Sequence, residues 1–217
     1  MGSLTIYGRI RLAVAALHRH DAVATQFLSA FEDSLRHREV IVATEQHENI
    51  NQVLQFFQHL AKRRDYNSVM VVTHGGRDGA INYEETVRDP GPGDALVENW
   101  RFLISGMSGA IENKLVIPAA CYSGTERIVK LLLSAYPGGF ALAVLATHPG
   151  RTLDVDQGAP AIAAFLDALA DMNLTSYEEW HLREAEASLT RRHRDAVRLW
   201  FTGDISDDDW VGRLSEA

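Results

Sequence analysis

The sequence predicts an α/β protein with a mostly parallel sheet that helices cover on both faces. Short β-branched runs alternate along the chain with longer segments that carry one apolar stripe at helical spacing. Strands that alternate with helices form right-handed crossover units, which place helices on both faces of one sheet. The chain has 217 residues, of which 46% are apolar and 23% charged, so residues 1–217 can form one well-buried domain.

The first half of the chain contains three predicted strands and two predicted helices. The strands are the apolar runs 10–17, 39–43 and 69–72. The first helix follows Asp21, which can cap it, and its apolar residues recur about every fourth position. This stripe consists of Val23, Phe27, Phe31 and Leu35. The second helix starts at about Asn49, with Gln52 as a capping partner.

A long connection, residues 75–109, is predicted between the third strand and the second half of the chain. It is rich in glycine and proline, contains one helix at 96–104 and closes on the small residues 105–109. Its composition is typical of a loop region beside a functional cleft.

The second half continues the alternation of strands and helices. The predicted strands are 115–117, 140–146 and 196–201, and the helices lie around Ile128, around Ile162 and over 177–194. Pro118 would remove a ladder hydrogen bond from a central strand. Either the pairing ends before residue 118 or a bulge lies there.

Two of the apolar runs end in a reactive side chain. The run 69–72 leads into His74, and the run 115–117 leads into Cys121, the only cysteine of the chain. Neighbouring parallel strands lie about 4.8 Å apart, so a His and a Cys just past their carboxyl ends can face each other across one cleft. This arrangement is typical of a thiolate nucleophile with its base.

Together, these two strand ends resemble those of the caspase-like cysteine peptidases, which include caspases, metacaspases, separases, gingipains and CHAT-domain proteases. In that superfamily a strand ending in His-Gly is followed, about 50 residues later, by a strand ending in Ala-Cys. A closing strand of the form Trp-Phe-x-Gly-Asp is similar to the C-terminal end of CHAT domains. The matching residues here are His74-Gly75, Ala120-Cys121, Ser123-Gly124 (similar to the Cys-His-Ser-Gly of metacaspases) and Trp200-Phe201 with Gly203-Asp204.

The resemblance implies a three-layer α/β/α caspase-like fold and a cysteine endopeptidase of the CHAT type. The sheet would have six strands, the last antiparallel to the others. Cys121 would form an acyl-enzyme, while His74 would protonate the leaving amine and then activate the deacylating water. The backbone N–H groups of Gly75 and Cys121 would form the oxyanion hole. The implied partners are a protein substrate and an activating or regulatory protein.

The residues that would select the substrate side chain are less well defined by the sequence. Metacaspases place an Asp two residues before the Cys, where this chain has Ala119. The loop 148–156 is expected to line the first specificity pocket, and it carries charges of both signs, including Arg151. Basic, acidic and apolar preferences therefore stay open. The candidate substrate-binding residues are Asp154 and Asp156 in this loop, and Arg19 by analogy with the arginines through which caspases bind Asp.

Composition argues against several other classes of function. The net charge of −8 disfavours a nucleic-acid surface, which needs clustered Lys and Arg. The sequence has no apolar stretch of membrane-spanning length and no signal-peptide layout, and its single cysteine cannot form an internal disulfide, so a cytoplasmic location is expected. No metal or cofactor is expected, because the 9 histidines lack zinc-ligand spacing. A ratio of 3 lysines to 18 arginines is typical of a GC-rich bacterial genome.

Two alternatives from other functional classes stay open on the sequence alone. One is a catalytically silent interaction module that keeps the caspase-like fold. The other is a flavodoxin-like small-molecule-binding domain in which the spacing of His74 and Cys121 is accidental. No glycine-rich phosphate loop follows the first strand, which weighs against the flavodoxin-like alternative.

Overall fold

The computed structural model describes residues 5–17, 22–48, 50–75, 81–82, 103–107, 109–133, 141–149 and 151–205. The strands are β1 (Thr5–Tyr7), β2 (Leu12–Leu17), β3 (Ile41–His47), β4 (Ser68–Val72), β5 (His74–Gly75), β6 (Ile81–Asn82), β7 (Leu115–Ala119), β8 (Ala143–Thr147), β9 (Ser176–Glu178) and β10 (Val197–Trp200). The helices are α1 (Ala22–Ser34), α2 (Ile50–Leu60), α3 (Glu126–Leu133), α4 (Val155–Met172), α5 (Glu179–Ser188) and α6 (Arg191–Ala196). Residues 103–107 and 109–111 are also helical.

Six of these strands form the central sheet, in the order β10-β8-β7-β4-β2-β3. The five strands from β8 to β3 are parallel, and β10 is antiparallel to β8. The prediction of a mostly parallel six-stranded sheet with an antiparallel last strand is therefore confirmed. The chain runs from β2 outward to β3 and then back across β2 to β4. Such a reversal is where open α/β sheets place their functional clefts, beside the carboxyl ends of the strands.

Helices cover both faces of this sheet, because neighbouring side chains on a strand belong to two different apolar cores. The first, third and fifth residues of β2 pack with α1 and α4. The second, fourth and sixth pack with α2, α3 and the helical residues 103–107. Strands that are buried on both faces require apolar residues at every position. The result is a helix–sheet–helix arrangement of three layers.

The first half of the chain departs from its prediction at two places. Val23 is 51% exposed, so its assignment to the apolar stripe of α1 is wrong. The buried face of α1 has i, i+3, i+4, i+7 spacing starting from Ala24, and Val23 lies to one side of it. The strand predicted at 39–43 lies instead at Ile41–His47. It is an edge strand, and its exposed polar residues 44–46 interrupt the apolar run that would have marked it.

Of the predicted helix caps in the first half of the chain, the one at the start of α2 is formed. Gln52 does act at the start of α2, because its Oε1 accepts the backbone N–H of Glu48 at 2.8 Å. Asp21, the predicted cap of α1, lies outside the described residues, as does most of the helix predicted at 96–104.

The small residues 105–109 do not end a loop, as the sequence predicted, but lie largely in helical structure. Their size reflects close packing against α2 and the turn that follows it. A Cβ at Gly106 would lie 2.2 Å from the Cδ2 of Leu54, and a Cβ at Gly109 would lie 3.4 Å from the Cβ of Ala61. Small residues here allow two helices to approach each other, a requirement that composition alone does not distinguish from that of a turn.

The single helix predicted at 177–194 is also wrong, because this segment contains the end of β9 and two helices. β9 pairs with β1 in a separate two-stranded antiparallel sheet. The chain leaves helical geometry at Leu189, and Thr190 then caps α6, its side chain accepting the N–H of His193 at 3.3 Å. A Thr with N-cap geometry starts a new helix rather than continuing the old one.

Pro118 is accommodated within β7 because β7 has lost one of its two neighbours by that point. Towards β4 the register continues through Pro118, which pairs with Val71. Towards β8 it ends at Val116, which pairs with Val144. The missing N–H of Pro118 therefore removes no hydrogen bond between β7 and β8. Pairing thus ends before residue 118 on the β8 side, as one of the two alternatives expected, but continues past it on the β4 side.

Candidate active site

The carboxyl ends of β4 and β7 lie side by side and lead into His74 and Cys121. Val72 pairs with Ala119 in the parallel register, and the N–H of Thr73 donates to the carbonyl of Ala119 at 3.2 Å. His74 follows Val72 by two residues, and Cys121 follows Ala119 by two residues. The two residues singled out in the sequence are thus brought together at one edge of the sheet.

Gly75 lies directly against the backbone of Cys121. A Cβ at residue 75 would lie 2.0 Å from the carbonyl oxygen of Cys121 and 3.0 Å from its nitrogen. Any side chain at this position would push the two strand ends apart, so the approach requires glycine. β5 is paired with β6 as well, which holds this strand end in place. Because Gly75 touches Cys121, the adjacent His74 is held one residue away from the cysteine backbone.

Within the part of the chain that the structure describes, Cys121 does not use all of its hydrogen-bonding capacity. Both His74 and Cys121 are half-buried, so each is reached by solvent. The Sγ of Cys121 makes one long contact, 3.8 Å to the carbonyl oxygen of Leu153. Within the described ranges, the amide N–H of Cys121 has no acceptor. An unpaired amide beside a nucleophile can donate to an oxyanion that develops during acyl transfer.

The chain turns sharply just after Cys121. Residues 121–124 form the turn, and α3 begins at Glu126, as the sequence predicted for this strand end. Tyr122 has a φ of 58°, in the left-handed region that costs a non-glycine residue roughly 1–2 kcal/mol. Its N–H donates to the carbonyl of Arg151 at 3.0 Å, which ties the turn to the loop after β8. Such strain persists where the surrounding structure enforces it, and it concentrates at functional sites.

A buried hydroxyl pair joins the turn to the end of β8. The Oγ of Ser123 lies 3.3 Å from the Oγ1 of Thr147 and accepts the N–H of Thr147 at 3.2 Å. The N–H of Gly124 donates to the Oγ1 of Thr147 at 2.9 Å. Ser123 and Thr147 are 0% and 1% exposed. We call Ser123, Gly124 and Thr147 together the Ser–Thr lock.

The predicted substrate-binding residues differ in their positions and in the contacts that they make. Asp154 caps α4, with Oδ1 accepting the N–H of Gln157 at 2.7 Å. Asp156 is exposed in the first turn of the same helix, where a negative charge complements the helix dipole. Arg19 lies outside the described residues. The loop that carries Arg151 and Leu153 does lie against Cys121, as its two backbone contacts with the turn show.

Two further observations concern metal ligands and the length of the apolar helices. In the part of the chain that the structure describes, no group of three His, Cys, Asp or Glu side chains could hold a metal ion. The helices in those same ranges include none that combines the length and the apolar character needed to cross a membrane.

Sequence reasoning did not assign a role to the Ser–Thr lock. Ser123 and Gly124 entered only through their resemblance to metacaspases, and Thr147 lay between the predicted strand 140–146 and the predicted loop 148–156. The sequence did contain a pattern that could have identified Thr147, because it is a polar residue at the carboxyl end of an apolar strand. The same signal drew attention to His74 and Cys121.

Comparison with known proteins adds no family to these observations. No protein-family model matches the chain, and no curated protein is similar to it in sequence. Functional inference therefore depends on the residues and on their geometry.

Proposed function

We propose that the protein is a caspase-like cysteine endopeptidase of the CHAT type, with Cys121 as nucleophile and His74 as acid and base. The observation that supports this most strongly is the contact of Gly75 with the backbone of Cys121 at the carboxyl ends of adjacent parallel strands. That contact puts a histidine and the only thiol of the chain at one edge of the sheet. The order of the motifs along the chain is the one found in caspase-like peptidases.

In the proposed acylation step, the thiol of Cys121 gives its proton to His74, and the resulting thiolate attacks the carbonyl carbon of the scissile peptide. The carbonyl oxygen becomes an oxyanion, which accepts hydrogen bonds from the backbone N–H groups of Cys121 and Gly75. When the tetrahedral intermediate collapses, the C–N bond breaks and His74 gives a proton to the leaving amine. The acyl group is then held on Cys121 as a thioester.

In the proposed deacylation step, His74 removes a proton from a water molecule that attacks the thioester. The C–S bond breaks, the new carboxylate leaves, and Cys121 returns to its starting state. The balance of the two steps is the hydrolysis of one peptide bond by one water. No metal ion or organic cofactor takes part in this scheme.

The proposed setting is the cytoplasm of a bacterial cell. A single thiol that serves as a nucleophile must stay reduced, which a cytoplasmic compartment ensures. The proposed partners are a protein substrate and a protein that activates or regulates the peptidase.

The test is cleavage of a peptide library by purified wild-type protein and by Cys121→Ala, with the melting temperature of each. The wild type is expected to cleave and the variant to be inactive, with melting temperatures that agree because a small, half-exposed thiol contributes little packing. Ser68→Ala, at the opposite end of the sheet, is the control and should cleave as the wild type does. Undiminished cleavage by Cys121→Ala would refute the mechanism.

A further inference from the structure

We propose that Thr147 and Ser123 are positioning residues for Cys121, so that the Ser–Thr lock sets the nucleophile in register with His74. This inference rests on the proposed function and deepens it. Neither hydroxyl reaches the substrate, because both residues are buried. Their proposed role is to fix the turn that carries Cys121, and they act through that turn alone.

The need for a lock follows from the way the central sheet ends. The register between β7 and β8 stops at Val116 and Val144, so no ladder joins the last part of β7 to β8. Thr147, three residues beyond Val144, would leave its backbone N–H without a strand partner on that side. The Oγ of Ser123 accepts this N–H at 3.2 Å. A side chain of the nucleophile turn thus takes the place of the missing ladder bond.

The lock is reciprocal, which makes it stiffer than a single hydrogen bond. The turn accepts a bond from β8 through Ser123 and donates one to β8 through the N–H of Gly124, which binds the Oγ1 of Thr147 at 2.9 Å. Buried hydrogen bonds that reinforce one another specify one geometry more strictly than isolated bonds do. Both partners lie within three residues of Cys121 on the turn side.

The close approach of the backbone at Gly124 to β8 also supports a role for the lock in fixing the turn. A Cβ at residue 124 would lie 1.7 Å from the carbonyl oxygen of Thr147, so the turn is packed directly onto the end of β8. At the other side of the cysteine, Gly75 touches the backbone of Cys121 in the same manner. Cys121 therefore lies between two glycine contacts, one to the His74 strand end and one to β8. A shift at either contact would change the separation of the thiol and the imidazole.

The experiment uses the single cysteine of the chain as its own reporter. Iodoacetamide reacts with the thiolate, so mass spectrometry of the adduct follows Cys121 alone. The readout is the ratio of the alkylation rate with His74 present to the rate with His74→Ala. In the wild-type background we expect a ratio of about ten, below the roughly 10²–10⁴-fold range of full acid–base catalysis, because alkylation depends on His74 only for the formation of the thiolate. A ratio is used because a change in solvent access alone would affect both rates equally.

The critical pair of variants is Thr147→Val and Thr147→Ser. Valine keeps the shape of threonine but removes the hydroxyl, and we expect the His74 ratio to fall to about one. Serine keeps the hydroxyl, and we expect the ratio to stay within about twofold of the wild-type value. A residue with a merely structural role would not separate these two substitutions by their His74 dependence.

Ser123→Ala supplies a second variant in case Thr147→Val does not fold, as shown by its melting curve. Its matched control is Ser68→Ala, because Ser68 is also 0% exposed but lies at the amino end of β4. We expect Ser123→Ala to lower the ratio to about one and Ser68→Ala to leave it unchanged.

The outcomes separate this inference from the proposed function. Loss of the ratio in Thr147→Val or Ser123→Ala, with recovery in Thr147→Ser, supports the lock. A ratio of about ten in a folded Thr147→Val or Ser123→Ala protein overturns the lock and leaves the proposed function standing. A ratio of one in the wild type overturns both, because Cys121 and His74 are then not coupled.

Discussion

The two ends of the central sheet use their polar residues in opposite ways. At the amino end, Asn67 precedes β4 and is 7% exposed. Its Oδ1 accepts the N–H of Arg11 at 2.9 Å and the hydroxyl of Ser68 at 3.3 Å. Its Nδ2 donates to the carbonyls of Tyr7 and Arg9 at 3.0 and 2.8 Å. The whole amide is used to hold the segment 7–11 against the sheet.

At the carboxyl end, some polar residues are buried and fully hydrogen-bonded, whereas a residue close to them in the turn is neither. Ser123 and Thr147 are as buried and as fully bonded as Asn67. Cys121, two residues before Ser123, is half-exposed, and within the described ranges its amide N–H has no acceptor. The comparison separates polar residues whose hydrogen bonds stabilise the fold from residues whose donors stay available to a ligand. Residues of the second kind, on a rigid frame, are where binding and chemistry are usually located.

The largest effect expected from this comparison is the loss of hydrolysis in His74→Ala. We expect kcat/KM on a peptide from the library to fall by about 10²–10⁴-fold, because the leaving amine loses its acid. Adding Cys121→Ala should cause no loss beyond that of Cys121→Ala alone, since the two residues act in one unit. His59→Ala, an exposed histidine on α2, is the control. Equal activity of His74→Ala and His59→Ala would contradict the assignment.

The next effect is on stability, at the amino end of the sheet. Asn67→Ala removes the side chain that hydrogen-bonds the backbone of Tyr7, Arg9 and Arg11, so we expect the free energy of unfolding to fall by about 2–3 kcal/mol. The alkylation rate of Cys121 in the protein that stays folded should be unchanged. Denaturant titration measures the first quantity and mass spectrometry the second. Asn51→Ala, an exposed position on α2, should alter neither, and a slower thiol reaction in Asn67→Ala would show that the two ends are coupled.

A smaller effect is expected at Asp154, where capping and substrate binding can be separated. Asp154→Ala removes the cap of α4 and should lower stability by about 1 kcal/mol. Asp154→Asn keeps a good cap and removes the charge, so stability should be retained. Thermal melts and peptide kinetics of both variants give the answer. A raised KM in Asp154→Asn, with unchanged stability, would place the charge of Asp154 in the substrate site.

Part of the fold and part of the candidate site could be predicted from the sequence alone. The sheet and the adjacency of the two strand ends that lead into His74 and Cys121 were predictable, because buried strands appear in the sequence as apolar runs and parallel strands share an edge. The exposed part of β3 was missed because an edge strand can be polar. The small residues near Gly106 were misread because close helix packing and turns favour the same residues. Ser123 and Thr147 are far apart in sequence, so their contact could be seen only in three dimensions.

The smallest effect concerns the pH dependence of stability, away from both ends of the sheet. The hydrogen bond with Asp171 raises the pKa of His37, and the bonds from His37 and then Arg36 lower the pKa of Asp171. The contribution of His37 is therefore lost as pH rises through its raised pKa, and that of Asp171 is lost as pH falls through its lowered pKa.

The pair should thus contribute most between the ordinary carboxyl and imidazole pKa values, at about pH 5. We expect the stability difference between wild type and Asp171→Asn to be largest near that pH and smaller at about pH 8.5. Asp33→Asn, which within the described ranges removes an exposed pair with Arg38, should show no such trend above about pH 6. A difference for Asp171→Asn that grows towards alkaline pH would contradict the assignment of the proton to His37.

The most direct test of the central claim is the lifetime of an acyl group on Cys121. The nitrophenolate of p-nitrophenyl acetate leaves without needing a proton, so acetylation of the thiolate does not depend on the acid role of His74. Hydrolysis of the thioester does depend on His74 as base. Peptide mapping by mass spectrometry should find Cys121 transiently acetylated in the wild type, acetylated for much longer in His74→Ala, and no acetyl thioester in Cys121→Ala. Equal acetyl lifetimes with and without His74 would contradict the claim that these two residues form one acyl-transfer unit.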